Sequence, residues 1–552
     1  MMLDCVVVGY NEGDFDQYRL LCEGSGSGSP DLQIFSKEHL VLDGHAMPWL
    51  EAFSMLRRRT TGRPDRYHPG EVFNLAGIYL SSYLRRHGFT AEPISLFGGD
   101  LDELRTLLEE GPRLVAITTT FYVNALPVLP VVEFVREHAP ASRIVVGGPL
   151  VDNLCQDAGV TPGPVPEELG ELLGAMGADY YVWESQGEST LARLCMRLRQ
   201  GADPSGLPNL VVERGERWVA NPKEPESNDL DEGSIRWTGF TPHQLGVTAQ
   251  MRTARSCAFK CSFCDYPMRA GKLATASVET VRRELRELAA LGVRNVVFVD
   301  DTFNVPVKRF KEICTMLAEE QLDLSWYSYF RCSNARDDET FDLAAESGCA
   351  GVFLGVESAD NGVLENMRKL AQDSQYRDGI LKFEERGITT FAAIIVGFPG
   401  ETERSIETTV EFLNELQPSF WRAQPWWGNP RSPIYLDRER FGIEGERYDW
   451  RHDTMTSEDA ARYCDVMFDA VTGSTWLPLY DFDFWSLPYL AGKGVSAPEL
   501  KEALAASQEV MSLRDRGLPT DAAQERFERL VAALDVEPAK YRLEPTPVAA
   551  VR

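Results

Sequence analysis

The sequence predicts an α/β protein in three parts: an amino-terminal parallel-sheet domain, a central partial (β/α)6 barrel, and a mostly helical carboxyl-terminal part rich in aromatic residues. Three observations carry this. Strand-length apolar runs alternate with helical periodicity from "DCVVVGY" (Asp4 to Tyr10) to about residue 225. A second alternation starts just ahead of a tight cysteine cluster and repeats six times, and beyond Asn429 it gives way to a tryptophan-rich stretch.

In the first part, 1–225, "DCVVVGY" precedes an irregular stretch at about 22–70 whose "GSGSGSPD" reads as a flexible insertion. The amphipathic "EVFNLAGIYLSSYLRRHGF" follows, then strands "EPISLF", "LVAITTTF", "RIVVGGP" and "YYVWES" with helical stretches between them. Such βαβ order implies a parallel sheet covered on both faces. A hairpin-like "NLVVERGERWVANP" closes the unit, and acidic "KEPESNDLDEGS" opens a linker extending over 226–246.

The barrel is expected over 247–429, through strands "NVVFVDDTF", "LSWYSYFRC", "AGVFLGVES", "TFAAIIVGFPG" and "FWRAQPWWG" after the cysteine loop. An eight-unit barrel takes roughly 250 residues, so six units predict roughly 190. The segment has 183. Loops at the carboxyl ends of such strands build the active site, and the cysteine loop falls after the first strand. In the last part, 430–552, and its approach, Trp421, Trp426, Trp427, Trp450, Trp476 and Trp485 form either a small core or a substrate-pocket wall.

Composition narrows the function. A net charge of -28, with no dense Lys/Arg tract, disfavours nucleic acid as a partner. No apolar run is long enough for a bilayer, and "MMLDCVVVGYNEGDFD" lacks a basic leader, so a cytoplasmic protein is expected. Eleven cysteines in 552 residues are too sparse for a disulfide framework and are expected as thiols or metal ligands.

Three of them, Cys257, Cys261 and Cys264, fall within eight residues of "RTARSCAFKCSFCDYPMRAGK". Structural zinc takes four closed ligands, which here would need a distant fourth residue. A cubane iron-sulphur cluster bound by three thiolates would instead keep one iron open to a small molecule. Cys314, Cys332 and Cys349 show no such spacing and read as core thiols.

The C-x3-C-x2-C loop, with Phe263 before the last cysteine, resembles the signature of radical S-adenosylmethionine (SAM) enzymes. The resemblance implies a [4Fe-4S] cluster on Cys257, Cys261 and Cys264, SAM on the open iron, and an electron donor such as flavodoxin or ferredoxin. It implies Phe263 beside the adenine, Asp300 and Asp301 as acceptors for the SAM ammonium, and Arg331 and Glu357 holding its carboxylate and ribose. Gly397 and Glu401 of "VGFPGET" would meet the adenosine.

An α/β domain ahead of such a barrel resembles the cobalamin-dependent subclass, in which the amino-terminal domain is a Rossmann-like cobalamin-binding domain. Its corrin is then expected at Thr118, Thr119, Thr120, Phe121 and Tyr122, at Gly147, Gly148 and Pro149, and at Glu184, Gly187 and Glu188. No D-x-H-x-x-G sequence is present, which leaves an imidazole ligand to cobalt unsupported.

The elements "RAGK", "DDTFNVP", "FGIEG", "YDWRHDTM" and "STWLP" are similar to those of the radical SAM phosphinate P-methyltransferase family of phosphinothricin-type biosynthesis. That similarity implies methyl transfer from methylcobalamin to an unactivated carbon or phosphinate centre after hydrogen abstraction by the 5'-deoxyadenosyl radical. The substrate would be a small-molecule or carrier-tethered natural-product intermediate. His452 would orient substrate or move a proton, and Trp426, Trp427 and Arg431 would shape the pocket. The alternative is radical chemistry without methylation: oxidation, cyclisation or ring rearrangement.

Overall fold

Cys5–Tyr10, buried along almost its whole length, lies inside an eight-stranded sheet ordered Ala91–Leu96, Cys5–Tyr10, Leu114–Thr118, Arg143–Gly147, Tyr180–Val182, Leu210–Arg214, Arg217–Ala220 and Gly163–Pro164. The computed structural model describes residues 3–26, 29–335, 337–478, 480 and 486–543. The chain packs as two units: Met1–Asp14 with Gly70–Gln250 and Ala274–Gly292, and Phe15–Pro69 with Met251–Leu273 and Val293–Arg552.

In the first unit, five strands run parallel, as βαβ alternation requires. The predicted hairpin, Leu210–Arg214 with Arg217–Ala220, adds to the sheet antiparallel. Numbered along the chain, the five parallel strands lie in the order 2-1-3-4-5. The winding therefore reverses between Cys5–Tyr10 and Leu114–Thr118, and crevices in open α/β sheets form beyond the strand ends at such a reversal.

The stretch expected as a linker is tied to this unit. Glu226 accepts hydrogen bonds from the Ser189 and Thr190 backbones at 2.6 and 2.7 Å, stopping the amino end of helix Glu188–Arg199. Glu284 accepts from Ile235 N and Trp237 Nε1. Polar composition read as linker because these partners lie far away along the chain.

In the second unit the sheet runs Asn295–Phe298, Ser325–Phe330, Cys349–Glu357, Thr389–Val396 and Phe420–Pro425, all parallel. Met251, closing the opening strand Thr248–Met251, accepts from Val299 N at 2.9 Å. A further strand, Thr475–Trp476, pairs beside Phe420–Pro425 and makes the sheet seven-stranded. It is too short to leave a periodic signal.

Alternation divides the barrel strands into two faces. Phe330, Leu354, Ala392, Trp421 and Trp476 share the outer face, where Phe330 packs on Phe341 and Phe383 of the covering helices. Tyr329, Phe353, Phe391 and Phe420 lie in register on the inner face, with Tyr329–Phe353 and Phe353–Phe391 ring centroids both 4.7 Å apart. They form an aromatic floor. The next inward layer is small, Gly355 and Ala393, and is flanked by Arg422.

Residues 22–70, expected as a flexible insertion, are folded wherever described: helix Pro30–Ser36, hairpin His39–Leu42/His45–Pro48 and helix Trp49–Thr61. Trp49, Leu50, Phe53 and Leu56 bury one face of the last helix. Trp49 Nε1 donates to Ser507 at 3.0 Å, Arg57 donates to the Leu534 carbonyl at 2.6 Å, and Asp65–Arg66 pairs with Tyr541–Arg542. Helix Pro30–Ser36 packs on helix Ser457–Ala470, and helix Trp49–Thr61 on helix Asp521–Ala533. Trp485 lies outside the described residues, and no described helix is long and apolar enough to cross a membrane.

Candidate cofactor site

The cysteine loop is built by three tethers. Asp300, fully buried, accepts from Thr253 N at 2.6 Å, Ala254 N at 2.8 Å and the Thr253 hydroxyl, fixing the chain as it leaves the first strand. Ser256 turns the backbone with φ of 71° and donates to the Gly271 carbonyl at 2.7 Å, closing the loop on itself. Buried Ser262 donates its N–H to Met367 O at 2.8 Å and its hydroxyl to Asn366 O at 2.7 Å, while its carbonyl accepts from Ile434 N at 2.8 Å. Three thiols are thereby presented from an ordered loop.

Removing the Ser262 hydroxyl should cost about 1 kcal/mol and leave the Asn366 carbonyl short of a donor. The expected result for Ser262→Ala is faster iron loss to a chelator at unchanged initial iron content; equal loss rates for both proteins would contradict this tether.

Among the described residues, no three His, Cys, Asp or Glu side chains converge to hold a single metal ion. The thiols are nevertheless neighbours: burial first, then the charges of Cys261, Asp265 and Cys257, pushes the Cys264 thiol up to about 11. Arg331 approaches Cys261, its Nη1 3.7 Å from the sulphur. Among the described residues, its Nη2 is buried without a hydrogen-bond partner. A donor set of thiols beside an unspent guanidinium fits a negatively charged group with a ligand on one side, as a cluster carrying SAM would be.

Glu357 ends the fourth strand at a register shift, with φ of 66°, and accepts from Lys369 Nζ at 2.6 Å. A Cβ on Gly355 would lie 2.4 Å from Glu357 Oε1, so a larger residue here would displace the folded-back carboxylate. Burial opposes the Lys369 ammonium, but Glu357 and weaker contributions from Tyr376 and Cys261 hold its pKa above the ordinary value. Lys369 also lies 5.6 Å from the Phe263 ring centroid, so it brings Phe263 and Glu357 together, and Arg331 is near enough for its charge to act on Lys369. Nothing in "MRKLAQ" marks Lys369 in the sequence.

Other expected residues have structural duties. The three hydrogen bonds that Asp300 accepts are internal and hold the loop; surrounding protein and then the Asp300 charge push Asp301 up to about 6. Glu401 accepts from Gly397 N, closing the "GFPGE" turn, and a Cβ on Gly397 would meet Trp450 and Ala460 at 2.6 Å. Gly397 is therefore glycine for packing. His452 Nε2 donates to Gly397 O at 2.9 Å and Nδ1 accepts from the Thr454 hydroxyl at 3.2 Å, with the ring stacked on Trp450. Both nitrogens are engaged, so His452 braces this turn and is not placed as a proton shuttle.

Trp426 is buried among Phe398, Trp450 and Tyr435, whereas Trp427 is 49% exposed and edges onto Tyr448. Arg431 lies 3.3 Å from Asp265, bracing the end of the cysteine loop rather than standing free for substrate.

Glu401 gives a pH signature. Burial, partly countered by the Gly397 and Phe398 N–H groups, raises its carboxyl from 4.5 to about 8. The folded chain then keeps a proton that the unfolded chain loses, so this stabilisation is complete below about pH 4.5 and lost as pH rises through about 8. Glu401→Gln should flatten the decline in thermal midpoint between those limits; identical slopes would refute the assignment.

In the first unit, the expected residues follow three neighbouring strands at their carboxyl ends, and of these 118–122 stand at the winding reversal. Thr118 donates to Gly9 O at 2.5 Å, Thr119 donates to Gly147 O at 3.0 Å, and Tyr122 accepts from Asn11 N at 2.7 Å. Gly148 has φ of 108° and would crowd Thr119 if it bore a Cβ. These residues, with Gly147 and Gly187 packed against Val182, shape the loops. Phe121, Val123 and Leu126 remain exposed there at 51, 94 and 43%, with Phe121 edge-on to Tyr10 at 5.9 Å. Glu184 lies 3.8 Å from Lys223, and Glu188 is buried. Tyr10 and Asn11 were not legible as site residues because only the strand order puts them at the reversal.

Residues 251–413 match the radical SAM superfamily, and this part of the chain is a radical SAM domain. An uncharacterized methyltransferase of Pyrococcus horikoshii is 29% identical over 331 residues, 57% of this chain and 68% of that protein. The tryptophan 2-C-methyltransferase of Streptomyces laurentii is 24% identical over 440 residues, 66% of this chain and 71% of that protein. The solved structure of the radical S-adenosylmethionine methyltransferase TsrM from Kitasatospora setae, with cobalamin and a [4Fe-4S] cluster bound, matches with a TM-score of 0.53 at 21% identity. It covers 68% of this chain and 73% of that one, a likeness of fold.

Proposed function

We propose that this chain is a cobalamin-dependent radical SAM methyltransferase acting on an unactivated carbon or phosphinate centre of a small natural-product intermediate. The observation that carries the reading is the tethered three-thiol loop facing a buried guanidinium with one unspent donor. The cluster with SAM would supply hydrogen-atom abstraction, and cobalamin would supply the methyl group.

The chain's own contribution is placement. Cys257, Cys261 and Cys264 would hold the cluster, and Arg331 Nη2, Asp301 and the Lys369–Glu357 pair would orient SAM. The four rings of Tyr329, Phe353, Phe391 and Phe420 line the inner face of the barrel with apolar surface, which would help keep water from a reactive radical. Gly355 and Ala393 keep side-chain volume out of the space above these rings. In the first unit, exposed Phe121, Val123 and Leu126 offer an apolar surface suited to a flat corrin, with Thr120 and Glu184 available to its amide fringe. The methyltransferase names of two relatives support methyl transfer, and the elements "FGIEG", "YDWRHDTM" and "STWLP" support phosphinate as one acceptor class.

The test is anaerobic reconstitution with iron, sulphide and cobalamin, followed by turnover with methyl-labelled SAM and candidate carbon and phosphinate substrates. Labelled product, 5'-deoxyadenosine and S-adenosylhomocysteine are the expected set. A product without label would remove methyl transfer in favour of oxidation, cyclisation or rearrangement.

A further inference from the structure

Arg331 follows the third barrel strand, and its guanidinium is held on three sides. Nε donates to the Ser333 hydroxyl at 3.0 Å, the guanidinium carbon sits 3.7 Å from the Phe259 ring centroid, and Nη1 points to the Cys261 sulphur at 3.7 Å. Asn304 clamps the backbone from both directions: its Oδ1 accepts from Arg331 N and its Nδ2 donates to Arg331 O, each at 3.0 Å. This cation has little freedom to turn elsewhere.

It is also uncompensated. Arg331 is 6% exposed, and among the described residues no carboxylate pairs with it. The other buried cation near Cys261, Lys369, is neutralised by Glu357. Burying a charge without a counter-ion is costly, and the side of the guanidinium that Nη1 presents faces Cys261, so with SAM absent the anion that balances Arg331 is what the cysteines hold. Three thiolates on a [4Fe-4S] cluster make such an anion, and one-electron reduction adds a further negative charge.

We propose that Arg331 sets the reduction potential of the cluster, through an N–H···S hydrogen bond to the Cys261 thiolate and its unneutralised positive charge. The inference rests on the cluster reading above. The electron comes from an external flavodoxin- or ferredoxin-type donor and enters the cluster with no proton required. Both effects favour the reduced state more than the oxidised one, so they raise the potential and ease reduction by a weak donor. The effect falls unevenly: among the described residues Cys257 meets the neutral Thr302 hydroxyl at 3.6 Å, while Cys261 takes the charged donor.

The full-length chain, reconstituted anaerobically without SAM, is poised at stepped potentials and its reduced cluster counted by EPR. Arg331→Gln is expected to shift the midpoint to more negative potential, and Arg331→Lys to fall between, keeping the charge without the planar fork. Resonance Raman should show a terminal Fe–S(Cys) stretch moving up in Arg331→Gln, as the hydrogen bond that weakens that bond is lost. Phe259→Leu removes the plate under the guanidinium while keeping every charge, and should shift the midpoint less, in the same direction. It carries the test if Arg331→Gln does not retain iron. Midpoints unchanged from wild type at matched iron content overturn the proposal, whereas wild-type chain that takes up no iron and sulphide overturns the cluster reading instead.

Discussion

Alanine in place of Cys257, Cys261 or Cys264 is expected to reduce SAM cleavage to background and to strip iron from the anaerobically reconstituted protein. On the proposed reading the three thiols would hold the cluster together, and a cubane with two protein thiolates would have two open corners exposed to solvent. Packing alone would not produce this result. Cys257 and Cys264 are only half-buried, so alanine there costs little folding energy, whereas Cys314 is fully buried in helix Val307–Glu320. Cys314→Ala should therefore show the opposite pattern, a lower thermal midpoint with iron and cleavage retained. Iron content, the cluster absorbance and 5'-deoxyadenosine formed from SAM are the measurements. A Cys261→Ala protein that still cleaves SAM at the wild-type rate would remove the cluster from this loop.

What the sequence disclosed follows from how local each signal is. The cysteine loop is legible because its ligands lie within eight residues, and the barrel because each strand carries its own apolar run. The duties of Asp300 and His452 were hidden, since their partners Thr253 and Gly397 lie 47 and 55 residues away. Position at a strand end suggested a ligand for Asp300, but the same position is where a carboxylate can fasten the neighbouring strand's exit. Lys369 carries no periodic or motif signal; only the folding-back of Glu357 over Gly355 makes it part of the site. The parallel order 2-1-3-4-5 likewise depends on pairing between distant strands, so Tyr10 and Asn11 could not be singled out. The "GSGSGS" run drew attention away from Trp49, Leu50, Phe53 and Leu56, whose helical spacing already called for a partner surface.

That partner surface yields the second large effect, at Glu38. Arg422 is a charged residue in the sixth barrel strand, within the apolar "FWRAQP", and is 3% exposed. Its Nη1 donates to Leu477 O at 3.2 Å and its Nη2 to Glu38, while the second Glu38 oxygen accepts from Tyr480 N at 2.8 Å. Glu38 is itself 3% exposed and follows helix Pro30–Ser36, so a residue from the stretch that read as a loop neutralises a charge on the barrel wall. Breaking a buried pair from one side leaves the other charge without water or counter-ion, a loss of about 3–5 kcal/mol. Glu38→Ala should therefore lower the denaturant midpoint of this unit and open residues 29–69 to limited proteolysis. Glu38→Gln, which keeps one acceptor oxygen, loses the charge and turns an NH2 donor toward the other donor, should fall between. Replacing both partners, Glu38→Ala with Arg422→Met, should recover much of the loss, because an apolar pair has no charge to strand. If Glu38→Ala alone unfolds within about 0.5 kcal/mol of wild type, the range of an ordinary surface substitution, then Arg422 has another counter-charge in solution and residues 15–69 do not serve as the brace for the barrel wall.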